Sequence, residues 1–306
     1  MSFNAGGLSV GDLEKEPLYL GIDGGGTSCR ARLRNADGVL LGEGMGGAAN
    51  ARLAPEMVRM SILDAASGAL SSAGLDETHW SRVSVALGLA GAGQPAARQR
   101  VLELDWPFAQ TVVETDAYTA WLGATRGGKG AILIVGTGVC GFMIANGERI
   151  SIGGWGSIVS DDGGGAVIGR EAVRRILWVH DGLASRGSMF RKVSGVAGHT
   201  PEDIVEWVDR ATPADFARIA PIVLNAAISP EYDGPDPLAQ GIMHDAGMAL
   251  SRLIRRLRAL GAPTVSILGG LSEHIVPWLA EDMRDCIVPP AHDALDGAIM
   301  MIRPPQ

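Results

Sequence analysis

The chain has 306 residues, 46% of them hydrophobic, enough to bury a sizeable core in about two domains. Its net charge of −8 carries no basic runs, which argues against nucleic acid or an anionic membrane as the main partner and favours a small or cationic ligand. Three widely spaced cysteines, Cys29, Cys140 and Cys286, argue against a disulfide framework and for the reducing cytoplasm.

The N-terminal stretch, Met1 to Tyr19, lacks a cationic start with an apolar core, and no segment reaches the roughly 18 apolar residues of a membrane span. The first predicted element is an apolar strand from Leu18 to Ile22, which runs into Asp23, Gly24, Gly25, Gly26 and Thr27 before a second strand resumes. Consecutive glycines weaken a strand, so either something approaches the main chain there or the backbone takes conformations that other residues avoid. Their N–H groups can form a nest for anionic oxygens, with the Thr27 hydroxyl as a further donor. Asp23 suits a hydrated magnesium ion, since Mg²⁺ keeps several waters and often uses one or two carboxylates. An ordinary tight hairpin with a capping aspartate is the alternative. A Rossmann fingerprint is set aside because a strand, not a helix, follows the glycines.

A helix is predicted over Pro55 to Ala73, then strands over Val83 to Leu89 and Thr111 to Glu114. Asp116 follows the second of these and precedes the helix-like Ala117-Tyr118-Thr119-Ala120-Trp121, a rigid place from which a carboxylate can accept a proton or cap the helix. The stretch Gly127 to Gly130 reads as a linker, placing a first lobe at residues 1–126 and a second at 127–306. Its Lys129 resembles that of a P-loop, but Gly130 stands where a serine or threonine would hold magnesium.

The strand Ala131 to Val135 opens a repeat. Leu18 to Gly42 reads strand, Gly/Thr turn, strand, Asp37-Gly38 turn, strand, and Gly130 to Gly154 has the same order, with Gly136, Thr137 and Gly138 at the first turn and Asn146-Gly147 at the second. Two related lobes presenting these turns to one cleft would explain the repeat; two unrelated hairpins are the alternative. Helices are expected over Gly165 to Val179, Pro213 to Ala227 and Leu238 to Leu260, the last closed by Gly261 and Pro263. The strand Val265 to Leu268 ends at Gly269 and Gly270, in isolation a strand-to-helix turn, and Asp293 to Ile302 has helical spacing. Strands and helices alternate as in an α/β protein.

Taken in order, Asp23-Gly24-Gly25-Gly26-Thr27, Thr115-Asp116-Ala117, Gly136-Thr137-Gly138, Gly153-Gly154-Trp155-Gly156, Asp161-Asp162-Gly163, Ile168-Gly169-Arg170-Glu171-Ala172 and Leu268-Gly269-Gly270 carry a resemblance that spans about Leu18 to Met301. The chain resembles the N-acetylglucosamine kinase and benzoyl-CoA reductase-activating ATPase family of the sugar kinase, Hsp70 and actin superfamily. Ala49-Asn50, Tyr118 and Asp293-Ala294 point within it to the bacterial glucosamine kinases. The resemblance implies a two-lobed actin-like ATPase (ribonuclease H-like) fold, each lobe a mixed β-sheet flanked by helices, with ATP and sugar in a cleft that closes and the last helix crossing back to the first lobe.

The implied activity is transfer of the γ-phosphoryl group of Mg-ATP to the 6-hydroxyl of glucosamine, with N-acetylglucosamine as the alternative substrate and an activator-type ATPase or a sugar sensor as further alternatives. By the same resemblance Asp116 is the base; residues Gly24, Gly25, Gly26, Thr27, Gly136, Thr137 and Gly138 hold phosphates; Gly269 and Gly270 lie against adenosine. Asp23 and Asp162 organise Mg²⁺. Asn50, Asp116, Gly154, Trp155, Gly156 and Asp161 would hold the sugar, although Trp155 alone reads as a core aromatic and Asp161-Asp162 as a polar turn. The family's Gly-Thr-Gly-Ser-Asn is here Gly136-Thr137-Gly138-Val139-Cys140, so Val139 and Cys140 replace two polar groups beside the sugar, which disfavours an acetylated substrate. Acidic Asp161 favours a protonated amine, whereas Trp155 points to N-acetylglucosamine. The resemblance leaves room for a homodimer.

Overall fold

The computed structural model describes residues 16–229 and 234–303; the stretch read above for a leader lies, up to residue 15, outside them. The chain divides into two compact units, Met1–Gly128 with Pro290–Gln306, and Lys129–Pro289.

The first unit is built on a five-stranded sheet of β1 (Leu18–Gly24), β2 (Cys29–Arg34), β3 (Leu40–Gly46), β4 (Val83–Leu89) and β5 (Gln110–Thr115), in the order β3-β2-β1-β4-β5. The β1–β2–β3 meander is antiparallel, while β4 lies parallel to both β1 and β5. Buried between parallel neighbours, β4 is an almost unbroken apolar run. Helices α1 (Pro55–Ser72), α2 (Pro95–Leu102) and α3 (Asp116–Thr125) complete it.

Helix α1 lies directly on β3. A side chain at Gly42, Gly44 or Gly46 would meet the Ala69, Ala65 or Ser61 carbonyl at 2.2, 2.1 or 2.0 Å. Two strand residues advance about 6.8 Å and four helix residues about 6 Å, so a glycine at every second strand position meets one face of an antiparallel helix. The C-terminal helix (Ala294–Met300) packs in the same manner, with ideal Cβ positions of Gly21 and Gly123 falling 2.2 Å from the Leu295 carbonyl and 2.0 Å from that of Asp293. Its bounds are shorter than the helical spacing of 293–302 suggests because Asp293 is the N-cap, accepting from Asp296 N–H at 3.0 Å. Arg32 donates to Asp293 at 2.8 Å and to Asp296 at 3.0 Å, and Arg34 donates to Asp296 at 2.7 Å, tying this helix to β2.

The second unit holds β6 (Ala131–Val135), β7 (Val139–Ala145), β8 (Glu148–Gly153) and β9 (Val265–Leu268) in the order β8-β7-β6-β9, again an antiparallel meander with a parallel neighbour on its first strand. Both sheets thus follow the repeat in the sequence. The β7–β8 turn has positive φ at Asn146 (52°) and Gly147 (80°), the mirror-image geometry that matches strand twist. Around the sheet lie α4 (Gly165–His180), α5 (Ser188–Ala197), α6 (Pro201–Arg210), α7 (Pro213–Ala217), α8 (Ala220–Ile228), α9 (Pro237–Ala259), α10 (Ser272–Ile275) and α11 (Glu281–Arg284). Leu133, Val265, Ile176, Leu250 and Ile254 meet in its core.

One helix over 213–227 was expected, but the structure has two, α7 and α8. Pro221 lacks the N–H a helix interior needs and sits instead in the first turn of α8. Helix α9 ends as expected: Gly261 takes φ 103°, while Gly261 and Ala262 N–H donate to the Arg258 and Leu257 carbonyls at 3.0 and 3.1 Å.

Candidate active site

In the first unit the carboxyl ends of the parallel strands coincide: Gly24 pairs with Leu89, and Leu89 with Thr115. Ligands of α/β sheets bind at such ends. A Cβ at Gly24 would stand 2.5 Å from Leu89 Cδ2 and 2.7 Å from the Ala49 carbonyl, so this position must be glycine to close the packing. Gly26 would meet nothing within 4 Å, and none of Gly24, Gly25 and Gly26 has positive φ. The backbone conformation is therefore one that other residues adopt, and the absent side chains at 25 and 26 instead leave the main chain accessible. Gly25 N–H closes the turn onto the Ser28 carbonyl at 2.9 Å, so this donor is already engaged, whereas Gly26 and Thr27 are exposed.

The turn is stitched to the segment carrying Asn50. Ala49 N–H donates to the Gly25 carbonyl at 2.9 Å and Ala51 N–H to the Ala90 carbonyl at 2.8 Å. Asn50 Oδ1 accepts from Arg52 N–H at 3.0 Å, which turns the amide nitrogen away from this bond as a donor for a ligand. Gly91, at φ 80°, leaves room for that amide; a Cβ there would fall 2.4 Å from Asn50 Oδ1.

Asp116 is the first residue of α3, not its cap. Thr115 caps the helix, its Oγ1 accepting from Tyr118 N–H at 3.1 Å. Asp116 Oδ1 accepts from Ala117 N–H at 2.8 Å. Burial pushes the Asp116 carboxyl above its ordinary range against that stabilising N–H, and the nearby Asp23 charge pushes the same way. Asp23 Oδ2 accepts from Arg30 Nη2 at 2.7 Å. Sequence reasoning did not single out Arg30; its signal is the β1–β2 register, which sets it directly opposite Asp23. Cys29 opens β2, fully buried, and its thiol donates to the Ser61 carbonyl at 3.2 Å.

In the second unit, the residues 136–138 turn joins β6 to β7. Gly136 N–H donates to the Gly138 carbonyl at 3.0 Å, and the start of α4 docks on the turn through Gly165 and Ala166 N–H to the Gly136 and Thr137 carbonyls at 2.8 and 2.9 Å. Asp161, a non-glycine residue at φ 61°, lays its carboxylate over the turn, with Oδ2 2.3 Å from the ideal Cβ position of Gly138. Its Oδ1 accepts from Gly156 N–H at 3.3 Å, so the phosphate-type turn and the glycine–tryptophan segment share one side chain.

Cys140 lies in β7 rather than in the turn, and an ideal Cβ at Gly154 would stand 3.5 Å from its sulfur. Val139 turns its side chain into the core, whereas Trp155 is 78% exposed and is no core aromatic. Asp162 is exposed at the mouth of a cavity of about 390 Å³ shared with Glu171, Asp245 and Arg252. Gly269, at φ 100°, packs on the last residue of β6, its ideal Cβ 2.4 Å from the Val135 carbonyl. Together with Gly270 it leads from β9 into α10, so these two glycines stand beside the 136–138 turn. Among the described residues no three His, Cys, Asp or Glu side chains gather as a ready cation site.

Residues 20–301 match the BadF/BadG/BcrA/BcrD ATPase family. The chain is 36% identical to the glucosamine kinase GspK of Vibrio cholerae over 288 residues, 94% of this chain and 96% of the relative. It is 25% identical to the N-acetylmuramic acid/N-acetylglucosamine kinase of Clostridium acetobutylicum over 222 residues, 68% and 70% of the two chains. A crystal structure from Chromobacterium violaceum, provisionally described as an N-acetylglucosamine kinase, superposes with a TM-score of 0.85 at 32% identity, covering 94% of this chain and 99% of that one.

Proposed function

Because the chain belongs to the BadF/BadG/BcrA/BcrD ATPase family, we propose that it is an ATP-dependent amino-sugar kinase that transfers the γ-phosphoryl group of Mg-ATP to the 6-hydroxyl of glucosamine. The observation that carries the chemistry is the half-buried Asp116 carboxylate, held by one N–H at the carboxyl ends of β4 and β5, beside an accessible glycine turn and Asn50. Asp116 accepts the proton of the 6-hydroxyl as its oxygen bonds the γ-phosphorus and the bond from that phosphorus to the β–γ bridging oxygen breaks. ADP leaves with that electron pair, and the sugar 6-phosphate remains.

Phosphoryl transfer leaves the protein mainly positioning and charge neutralisation. Residues 24–27 hold the β- and γ-phosphates, residues 136–138 a further phosphate, and Gly269 with Gly270 the adenosine. Magnesium would neutralise phosphate charge, and a single carboxylate such as Asp23 suits an ion carried mostly by phosphates and water; Asp162 would help order magnesium-bound water. Asn50 donates its amide N–H to a sugar hydroxyl, Asp161 and residues 154–156 hold the ring and its amine, and Cys140 borders them; Val139, buried in the core, has no side chain to offer the sugar.

The Vibrio relative supports glucosamine as substrate, and the Clostridium relative supports an N-acylated alternative. A coupled ADP-release assay with Mg-ATP and glucosamine, N-acetylglucosamine or glucose decides. Turnover highest with glucosamine is expected, a preference for N-acetylglucosamine would reassign the substrate, and ATP hydrolysis indifferent to sugar would replace the kinase by an activator-type ATPase.

A further inference from the structure

The loop of residues 154–161 combines features that leave it little to stand on. Trp155, Ile158 and Val159 are 78%, 87% and 81% exposed, and Gly153, Gly154, Gly156 and Asp161 all hold positive φ. A segment with so few buried apolar contacts opens readily unless polar bonds restrain it. Within the loop, Ser160 N–H reaches the Gly156 carbonyl at 2.9 Å and Gly156 N–H reaches Asp161 Oδ1 at 3.3 Å. A restraint from outside comes from α4, where Arg170 Nη1 donates to the Ser157 carbonyl.

Arg170 is well placed for this task. Its neighbour Gly169 seats α4 on α7 so closely that a Cβ would fall 1.9 Å from the Phe216 carbonyl, which fixes the base of the arginine. Its side chain also borders an apolar groove of about 510 Å³ flanked by Ile158, Val173 and Phe216, so the methylene stem has apolar neighbours while the guanidinium serves the loop. A cationic donor on a main-chain carbonyl forms a charge-assisted bond, stronger than a neutral one.

We propose that Arg170 is a positioning residue for the sugar-binding loop: its bond to the Ser157 carbonyl holds residues 154–161 so that Trp155 and Asp161 meet the substrate in one arrangement. This rests on the amino-sugar kinase reading, and it accounts for the Ile168-Gly169-Arg170 motif, with glycine seating the helix and arginine restraining the loop.

The test compares the full-length wild type with Arg170→Met and Arg170→Lys. Arg170→Met is expected to speed amide hydrogen exchange within residues 154–161 and to raise the glucosamine KM roughly tenfold, the scale of one lost charge-assisted bond, with the Mg-ATP KM and Tm unchanged. Arg170→Lys, which restores one cationic donor, is expected to recover part of both effects and serves alone if the methionine variant does not fold. Unchanged exchange and KM would overturn the proposal. So would a fall in Tm with both KM values rising together, the mark of a merely structural arginine. If the wild type phosphorylated no sugar, the kinase reading would fail, and the exchange rates would still decide whether Arg170 restrains the loop.

Discussion

Replacing Asp116 with Asn separates catalysis from stability, because the two respond with opposite sign. Asn keeps an acceptor for the Ala117 N–H that Asp116 holds at 2.8 Å, so the position of the side chain is retained and only proton acceptance is lost. General-base catalysis is worth about 10² to 10⁴ in rate, or roughly 3 to 5.5 kcal/mol, so kcat should fall by that factor while Mg-ATP binding by calorimetry stays unchanged. Stability should rise. Burial, with Asp23 adding to it, raises the folded-state pKa of Asp116 above the ordinary 3.8, so ionisation destabilises the wild type in full above the folded value and not at all below the unfolded one. The Asn variant should therefore melt higher than wild type at pH 8, and this advantage should vanish as pH falls below about 4. The acid limb of kcat/KM should lie above 3.8 and move lower in Asp23→Asn, which removes the neighbouring like charge. Near-normal turnover in Asp116→Asn, or a variant less stable than wild type at pH 8, would refute the assignment of Asp116 as a partly desolvated base.

Two other substitutions and a labelling experiment probe the same framework. Gly91→Ala places a Cβ 2.4 Å from Asn50 Oδ1 at a φ of 80°, and steady-state kinetics should show a sugar KM raised roughly tenfold with the Mg-ATP KM intact. Arg34→Met removes a partner of Asp296; burial alone would raise that carboxyl, but Arg34 and Arg32 outweigh it and hold it below its usual range. Urea unfolding at pH 7 should show a loss of about 1.5 kcal/mol, since Arg32 still holds the carboxylate, and because a depressed carboxyl stabilises only while ionised, the difference should shrink as pH falls below 3.8 toward the folded value. Burial pushes the Cys29 thiol up to about 11, so iodoacetamide at pH 8 should label half-buried Cys140 and spare Cys29 until urea is added, as read by mass spectrometry.

Strand positions were legible in the sequence because they depend on local composition. The predicted runs at 83–89, 131–135 and 265–268 coincide with β4, β6 and β9, each a compact apolar segment. The repeated meander was legible for the same reason, since alternation and turn residues are local signals. Among the described residues, helices α2, which begins at Pro95, α5, α6 and the one-turn α11 escaped, although α6 carries a capping box at Thr200 and Asp203 that could have revealed it.

Of the candidate site, the sequence by itself determined which residues carry donors and carboxylates and that glycines expose the main chain at the first turn. Tertiary structure alone decided that Asp23 faces Arg30, that Thr115 rather than Asp116 caps α3, that Trp155 points to solvent, and that Asp161 spans from Gly156 to Gly138. Each of these depends on register, on the approach of a distant element, or on the loss of solvent around a charge. A local pattern sets the backbone conformation of a segment, whereas the state of a carboxylate depends on whatever the rest of the fold brings within a few ångströms of it.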